Sequence, residues 1–361
     1  MRRRRHRMHA VIGLIALGFV ASEAGAADRL SVPVDVWDPP FNTTMQRTKS
    51  EYVGLEKAEK RWRLCVSIPH LKDPYWAAVN HGLIDQAKQL GVGLRLLEAG
   101  GYNNLDIQRR QITDCMASDA DGLIVAAISH NGLDDILASI RASKRPVIDL
   151  VNGMNPRHVS ARSAVDYFDL GHAAGTLLKS LHAGQTTPVK VGWFPGPQGP
   201  TWADRGDEGF RAAIADTSIR IVASARGDTG KAVQSKLVAE ALDQHADLDY
   251  MVGTTVSATA AVSQLRRRGL EDKVKVLAYY YGPQVHRAIR RGSILAAPTD
   301  FQSLQARIAV DLAVRLLENR DPPRHVSPIV EVIDVDSIRG FDPSGSLPPR
   351  GFRPMFSINN W

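Results

Sequence analysis

The chain has 361 residues, 44% of them hydrophobic and 23% charged, with a formal net charge of +7. Leaving out residues 1–26, which hold five Arg and one Glu, lowers that charge to about +3. So small an excess, with no later Lys/Arg run, excludes a nucleic-acid-binding face, and no later stretch is apolar enough to insert in a membrane.

The N-terminus reads as an address. Arg2, Arg3, Arg4, Arg5 and Arg7 precede an apolar run from Ala10 to Ala21, and Ala24-Gly25-Ala26 supplies a small-x-small cleavage pattern. This predicts a secretory signal peptide over 1–26, because the run is shorter than the ~20 residues of a bilayer span. Roughly 335 residues remain, above the ~250–300 at which one core divides, so two lobes are expected.

Residues 27–60 carry Pro33, Pro39 and Pro40 with weak periodicity and read as an extended N-terminal arm. From Arg63 short apolar runs alternate with amphipathic stretches. Leu64–Ile68, Gly93–Leu97, Gly122–Ala126 and Pro146–Val151 read as strands, separated by helices at 75–90, 105–117 and 132–143. A second series has helices at 171–183, 204–215, 230–243 and 257–268. Its strands are Val189–Phe194, Ile219–Ala223, Leu248–Gly253 and Val274–Tyr279. Such alternation predicts an α/β fold of two doubly wound parallel-sheet lobes joined by a three-strand hinge. The helix at 302–319 spaces Leu304, Ile308, Leu312 and Leu316 at four-residue steps, a core stripe. The first lobe is then 61–166 plus 281–300, and the second is 167–280 plus 301–340. Residues 341–361, rich in Pro and Gly, form a surface tail. Crossings are expected near Val165–Asp169, Tyr280–Gly282 and Asp300–Phe301.

There are two cysteines, Cys65 opening the first strand and Cys115 ending the second helix. In a secreted protein the pair either forms a disulfide or stays as two buried thiols, and both readings stay open.

Ligands bind doubly wound sheets beyond the carboxyl ends of the strands, so the loops there were searched for chemistry. Gly196-Pro197-Gln198-Gly199-Pro200 is glycine-rich, but its prolines remove donors that a phosphate cradle needs. No G-x-S-x-G elbow, H-E-x-x-H or metal-ligand spacing occurs. The reading is a binding protein rather than an enzyme, with no cofactor and no metal.

The segment Leu64–Ile68 followed by Pro69-His70-Leu71-Lys72-Asp73-Pro74-Tyr75-Trp76 resembles the opening of the type 1 periplasmic binding proteins. More narrowly it resembles their trimethylamine N-oxide (TMAO)-sensing branch, as do Leu97–Tyr102, Gln111-Ile112 with Cys115, Gly209–Ala215 and Gly351-Phe352-Arg353-Pro354. The resemblance runs from about Arg61 to Phe356. It implies a periplasmic protein that binds TMAO between its lobes and signals to the periplasmic domain of a hybrid sensor histidine kinase, inducing anaerobic TMAO respiration. It also implies that Asp73, Tyr75, Trp76 and Tyr280 belong to the ligand site. Where the family has a Trp before a Gly-led helix, this chain has Tyr167, and Trp202 is a candidate for the missing ring.

The chemistry suits such residues. TMAO offers three methyls around a positive nitrogen and one negative oxygen, calling for aromatic faces and a donor for the oxide. Asp73 also suits a helix N-cap before Pro74, and Trp76 suits the core. Of Tyr279-Tyr280-Tyr281, period two sends Tyr280 one way and its two neighbours the other, and Tyr280 is taken as the one that faces the cleft. The alternative is a sugar or autoinducer binder of the same fold, serving a transporter or sensor, for which Asn152 and Asn80 are the polar candidates.

Overall fold

The computed structural model describes residues 29–359, so the predicted signal peptide lies outside the described residues. The first lobe contains β1 (Ser31–Trp37), β2 (Arg47–Val53), β3 (Arg63–Ile68), α1 (Pro74–Leu90), β4 (Gly93–Glu98) and α2 (Leu105–Ala117). It continues through β5 (Gly122–Val125), α3 (Asp134–Ala142), β6 (Val147–Leu150) and β7 (Ala161–Ser163). The chain then crosses to α4 (Tyr167–Leu181), β8 (Val189–Gly196), α5 (Thr201–Ile214), β9 (Ile219–Arg226), α6 (Lys231–Gln244), β10 (Tyr250–Gly253) and α7 (Thr255–Arg268). After them come β11 (Lys275–Ala278), α8 (Pro283–Arg290), β12 (Ala296–Thr299), α9 (Gln302–Leu317), β13 (His325–Pro328), β14 (Glu331–Asp334) and β15 (Ser357–Ile358).

The two parallel sheets expected from the alternation are present. One has strand order β15-β4-β3-β5-β6-β7-β13-β1-β2, the other β11-β10-β8-β9, with β12 and β14 as a separate antiparallel pair. Every strand of β3, β5 and β6 is apolar enough to be buried on both faces, which suits a parallel sheet covered by helices. Helices α4 and α5 cross at glycines: a Cβ on Gly171 would stand 2.0 Å from the Gly206 carbonyl oxygen, and one on Gly209 2.0 Å from that of Phe168. Among the described residues no helix is long and apolar enough to cross a membrane.

Five features differ from the sequence reading. Residues 281–300 run with the second lobe, because β12 pairs with β14 and the Leu295 N–H donates to the Val276 carbonyl. Helix α9 belongs to the first lobe: its Leu304, Ile308 and Leu312 stripe is buried among α1 and the first sheet. The third crossing is therefore at residues 329–330, between β13 and β14, and not at Tyr280–Gly282. The N-terminal segment is no loose arm. Its β1 pairs antiparallel with β13 and β2, extending the first sheet by a hairpin. The tail, finally, crosses back to pair β15 with β4.

The cysteines are joined. Cys65 in β3 and Cys115 in α2 form a disulfide across a Cα–Cα distance of 6.2 Å.

Candidate functional site

The cleft side chains come from strand ends and helix starts in both lobes. Pro74 opens α1 with its φ fixed for the helix, and Asp73 caps it by accepting the Tyr75 N–H at 2.9 Å. The first turn thereby places Tyr75 and Trp76 at the mouth of β3. Asp166 caps α4 in the same way, so Tyr167 lies in that helix's first turn, four residues ahead of the predicted start. Trp202 is in the first turn of α5 rather than in a surface loop, and is buried. Tyr280 follows β11.

These rings converge. Tyr75 and Tyr280 have centroids 5.5 Å apart, Tyr167 and Tyr280 6.1 Å, Tyr167 and Trp202 5.4 Å, and Trp202 and Tyr280 5.9 Å. Trp76 stands edge-on to Tyr75 at 5.5 Å. All six predicted residues, Asp73, Tyr75, Trp76, Tyr167, Trp202 and Tyr280, line one small cavity of about 10 Å³, room for about one water. Of the neighbouring tyrosines, Tyr279 donates its hydroxyl to the Pro195 carbonyl at 2.6 Å and Tyr281 pairs with His286. Only the middle tyrosine of the three lines the cavity, as period two required.

Polar groups thread the rings. Asp73 accepts from Thr255 Oγ1 and from the Tyr280 hydroxyl, each at 3.2 Å, linking the first lobe to the second. Tyr167 donates to the Tyr75 hydroxyl at 3.2 Å, and Tyr75 donates to Asp300 Oδ2 at 2.6 Å. The extra hydroxyl that Tyr167 brings in place of an indole therefore has its partner. Gln305 Nε2 also donates to Asp300 Oδ2, at 2.6 Å, whereas Asp300 Oδ1 and the indole Nε1 of Trp202 are buried without protein partners.

Burial pushes the carboxyls of Asp73 and Asp300 up to about 6, against the hydrogen bonds they accept. No lysine or arginine lines this cavity. Burial also raises the Tyr75, Tyr167 and Tyr280 hydroxyls well above their usual range, so all three stay protonated donors.

Sequence reasoning missed Tyr102, Thr229, Thr255 and Asp300. Tyr102 and Thr229 line the cavity and follow β4 and β9 at their carboxyl ends, where the strand-end rule points. His70, at the end of β3, reaches Thr229 Oγ1 with Nε2 at 3.0 Å across the lobes, and burial lowers its pKa to about 4. Of the polar residues weighed for a sugar, Asn152 lines the cavity. Asn80 does not: its side chain binds the Met355 backbone in the tail.

A family model described as "Periplasmic binding protein domain" matches residues 64–321. The periplasmic protein TorT of Escherichia coli (strain K12) is 34% identical over 300 residues, 83% of this chain and 86% of TorT. Among solved structures, an ABC transporter solute binding protein from Bradyrhizobium sp. BTAi1 with bound bis-tris superposes with a TM-score of 0.79. It is 44% identical and covers 90% of this chain and 98% of its own. A chain of the TorS sensor domain–TorT complex in the presence of TMAO gives a TM-score of 0.75. It is 30% identical over 82% of this chain and 99% of that one.

Proposed function

The chain belongs to the periplasmic binding protein family, and on that premise we propose that it captures TMAO in the ring cavity and reports it to a membrane sensor histidine kinase. The observation that carries this is the convergence of six rings from two lobes on one small space that Asp73 lines, with Asp300 behind Tyr75 and no basic side chain. Such a pocket suits a nitrogen-centred methylated cation: each ring face contributes ~0.5–2 kcal/mol, and the carboxylates supply the opposing charge. Trp202 Nε1–H, buried and without a partner, is the donor for the oxide oxygen. Sugar hydroxyls find little here, since rings outnumber free hydrogen-bonding groups and an unpaired buried hydroxyl costs ~1–3 kcal/mol.

Asp73–Thr255, Asp73–Tyr280 and His70–Thr229 all bridge the lobes beside the cavity. Ligand between the lobes then favours the closed form, and closure alters the surface a sensor meets only as far as ligand prefers that form. The likeness to TorT in its complex with the TorS sensor domain supports such a partner, in the periplasm. Binding, not catalysis, is the activity.

Calorimetry of the chain without residues 1–26 tests the ligand: saturable heat with TMAO and none with ribose is expected. Ribose binding with no TMAO heat would overturn it. A second reading, delivery of an amine to a transporter, is favoured by the 44% identity to a transporter solute binding protein that holds bis-tris, itself a tertiary amine. Titration against a sensor's periplasmic domain separates the two. A sensing role requires TMAO to change that affinity by the same factor by which the sensor changes TMAO affinity.

A further inference from the structure

Beside the ring cavity lies a second one of about 270 Å³. It shares Asn152, Tyr167 and Trp202 with the first, so these side chains form the partition between the two spaces. Its outer wall includes Phe41, Asn42 and Thr43, from the loop joining β1 to β2. That loop precedes residues 64–321, the part matched by the family model. The hairpin holds the wall in place by reaching over the cleft: Arg47 pairs with Asp35 of its own lobe and with Asp169 of α4, and the Phe41 N–H donates to His325 Nδ1 at 3.3 Å.

The two spaces differ in charge. The ring cavity holds Asp73, with Asp300 behind Tyr75, and no basic group. The charged residues of the outer chamber are instead Arg162 and Arg205, with one acid, Asp166. Arg205 is committed to Asp166 and Glu208. Arg162 gives Nε to Asp149 and Nη2 to the Met154 carbonyl, which leaves Nη1 without an acceptor among the described residues. The unpartnered Nε1–H of Trp202 stands in the partition. With Arg205 neutralised by Asp166, the free Nη1 of Arg162 is the donor that faces the acidic cavity across two rings and an amide.

We infer that the cavity and the chamber form one two-compartment site for a methylated ammonium that carries a carboxylate tail, a betaine-type zwitterion with its charges held apart. The inference rests on the proposed reading of the ring cavity as an ammonium site and widens its ligand class. A compact N-oxide, larger than the one water the closed cavity admits, enters as the rings part and occupies the inner space alone. A tailed ligand fills both, its head among the rings and its carboxylate against Arg162 Nη1.

Calorimetry with tetramethylammonium, TMAO and L-carnitine tests this. Carnitine should bind tighter than tetramethylammonium by about tenfold or more, the worth of one charge-assisted hydrogen bond. Thr43→Trp, at an exposed position on the chamber wall, should weaken carnitine by about tenfold and change TMAO by less than about twofold. TMAO binding without carnitine binding overturns the inference and leaves the N-oxide reading intact, as does equal weakening of both ligands by Thr43→Trp. Carnitine binding without TMAO binding supports the chamber and overturns the N-oxide reading. No heat with any of the three overturns both.

Discussion

Four aspartates are buried among the described residues, two inside the first lobe and two where the lobes meet, and their surroundings differ. Asp149 accepts from Arg162 Nε at 2.6 Å, and Asp311 from Arg315 Nε at 2.6 Å. Asp73 and Asp300 have only neutral donors: a backbone amide, tyrosines, a threonine and a glutamine. A carboxylate inside a lobe keeps its own cation because nothing else will ever reach it. At the junction no such cation stands beside the acids, as the proposed ammonium site requires. The lesson is that the charge partner of a buried acid separates scaffold from site more sharply than burial does.

The largest effect should come from breaking an internal pair. Asp149→Ala strands Arg162 and should cost about 3–5 kcal/mol of unfolding free energy, read by urea denaturation. A cost under about 1 kcal/mol would erase the contrast with the junction acids.

Trp76→Ala tests the junction from the ring side. It should weaken TMAO binding by about thirtyfold, the upper range of a desolvated cation–π contact, with the fold checked by circular dichroism. Unchanged affinity would remove Trp76 from the site.

The smallest and most discriminating effect concerns Asp300→Asn. Burial raises the Asp300 carboxyl from 3.8 to about 6, so the folded chain bears a penalty at neutral pH that proton uptake relieves as pH falls from 6 toward 4. The Asn variant should therefore be more stable than the parent at pH 7 by about 1–3 kcal/mol, and the advantage should vanish near pH 4. His70, lowered to about 4, acts in the opposite direction over the same window, destabilising the fold as pH drops below 6.5. The measurement is thus the difference between variant and parent. A pH-independent difference would mean that the Asp300 carboxyl titrates alike in the folded and the unfolded chain, so that burial does not raise it.

Much of this was legible in the sequence because it is local or periodic. Alternating apolar runs fixed the two sheets. Asp73-Pro74 marked a helix start, and strand ends together with the family resemblance pointed to Tyr75, Trp76 and Tyr280, which the fold brings to one cavity. What escaped was long-range. The segment after Tyr281 joins the second lobe through its pairing with β14, some 35 residues on, which no window sees. Asp300 was passed over because nothing local says that Tyr75, 225 residues earlier, will lie on it. The β1–β2 hairpin was read as an arm because Pro33, Pro39 and Pro40 broke the pattern, although Pro33 is accommodated within β1. Helix α8 is eight residues long and too short for its periodicity to register.

The return of the tail to the first sheet has a bearing on how the protein avoids sticking to its own copies. Strand β4 would otherwise be an outermost strand with unpaired amides and carbonyls. Ser357 and Ile358 occupy that rim opposite Arg95 and Leu94, and the Leu96 N–H donates to the Phe356 carbonyl at 2.8 Å. An open rim of this kind is a template for another chain to stack upon. The rim stays sticky until residues 356–358 have joined it, and a copy cut short before residue 356 would be prone to clump.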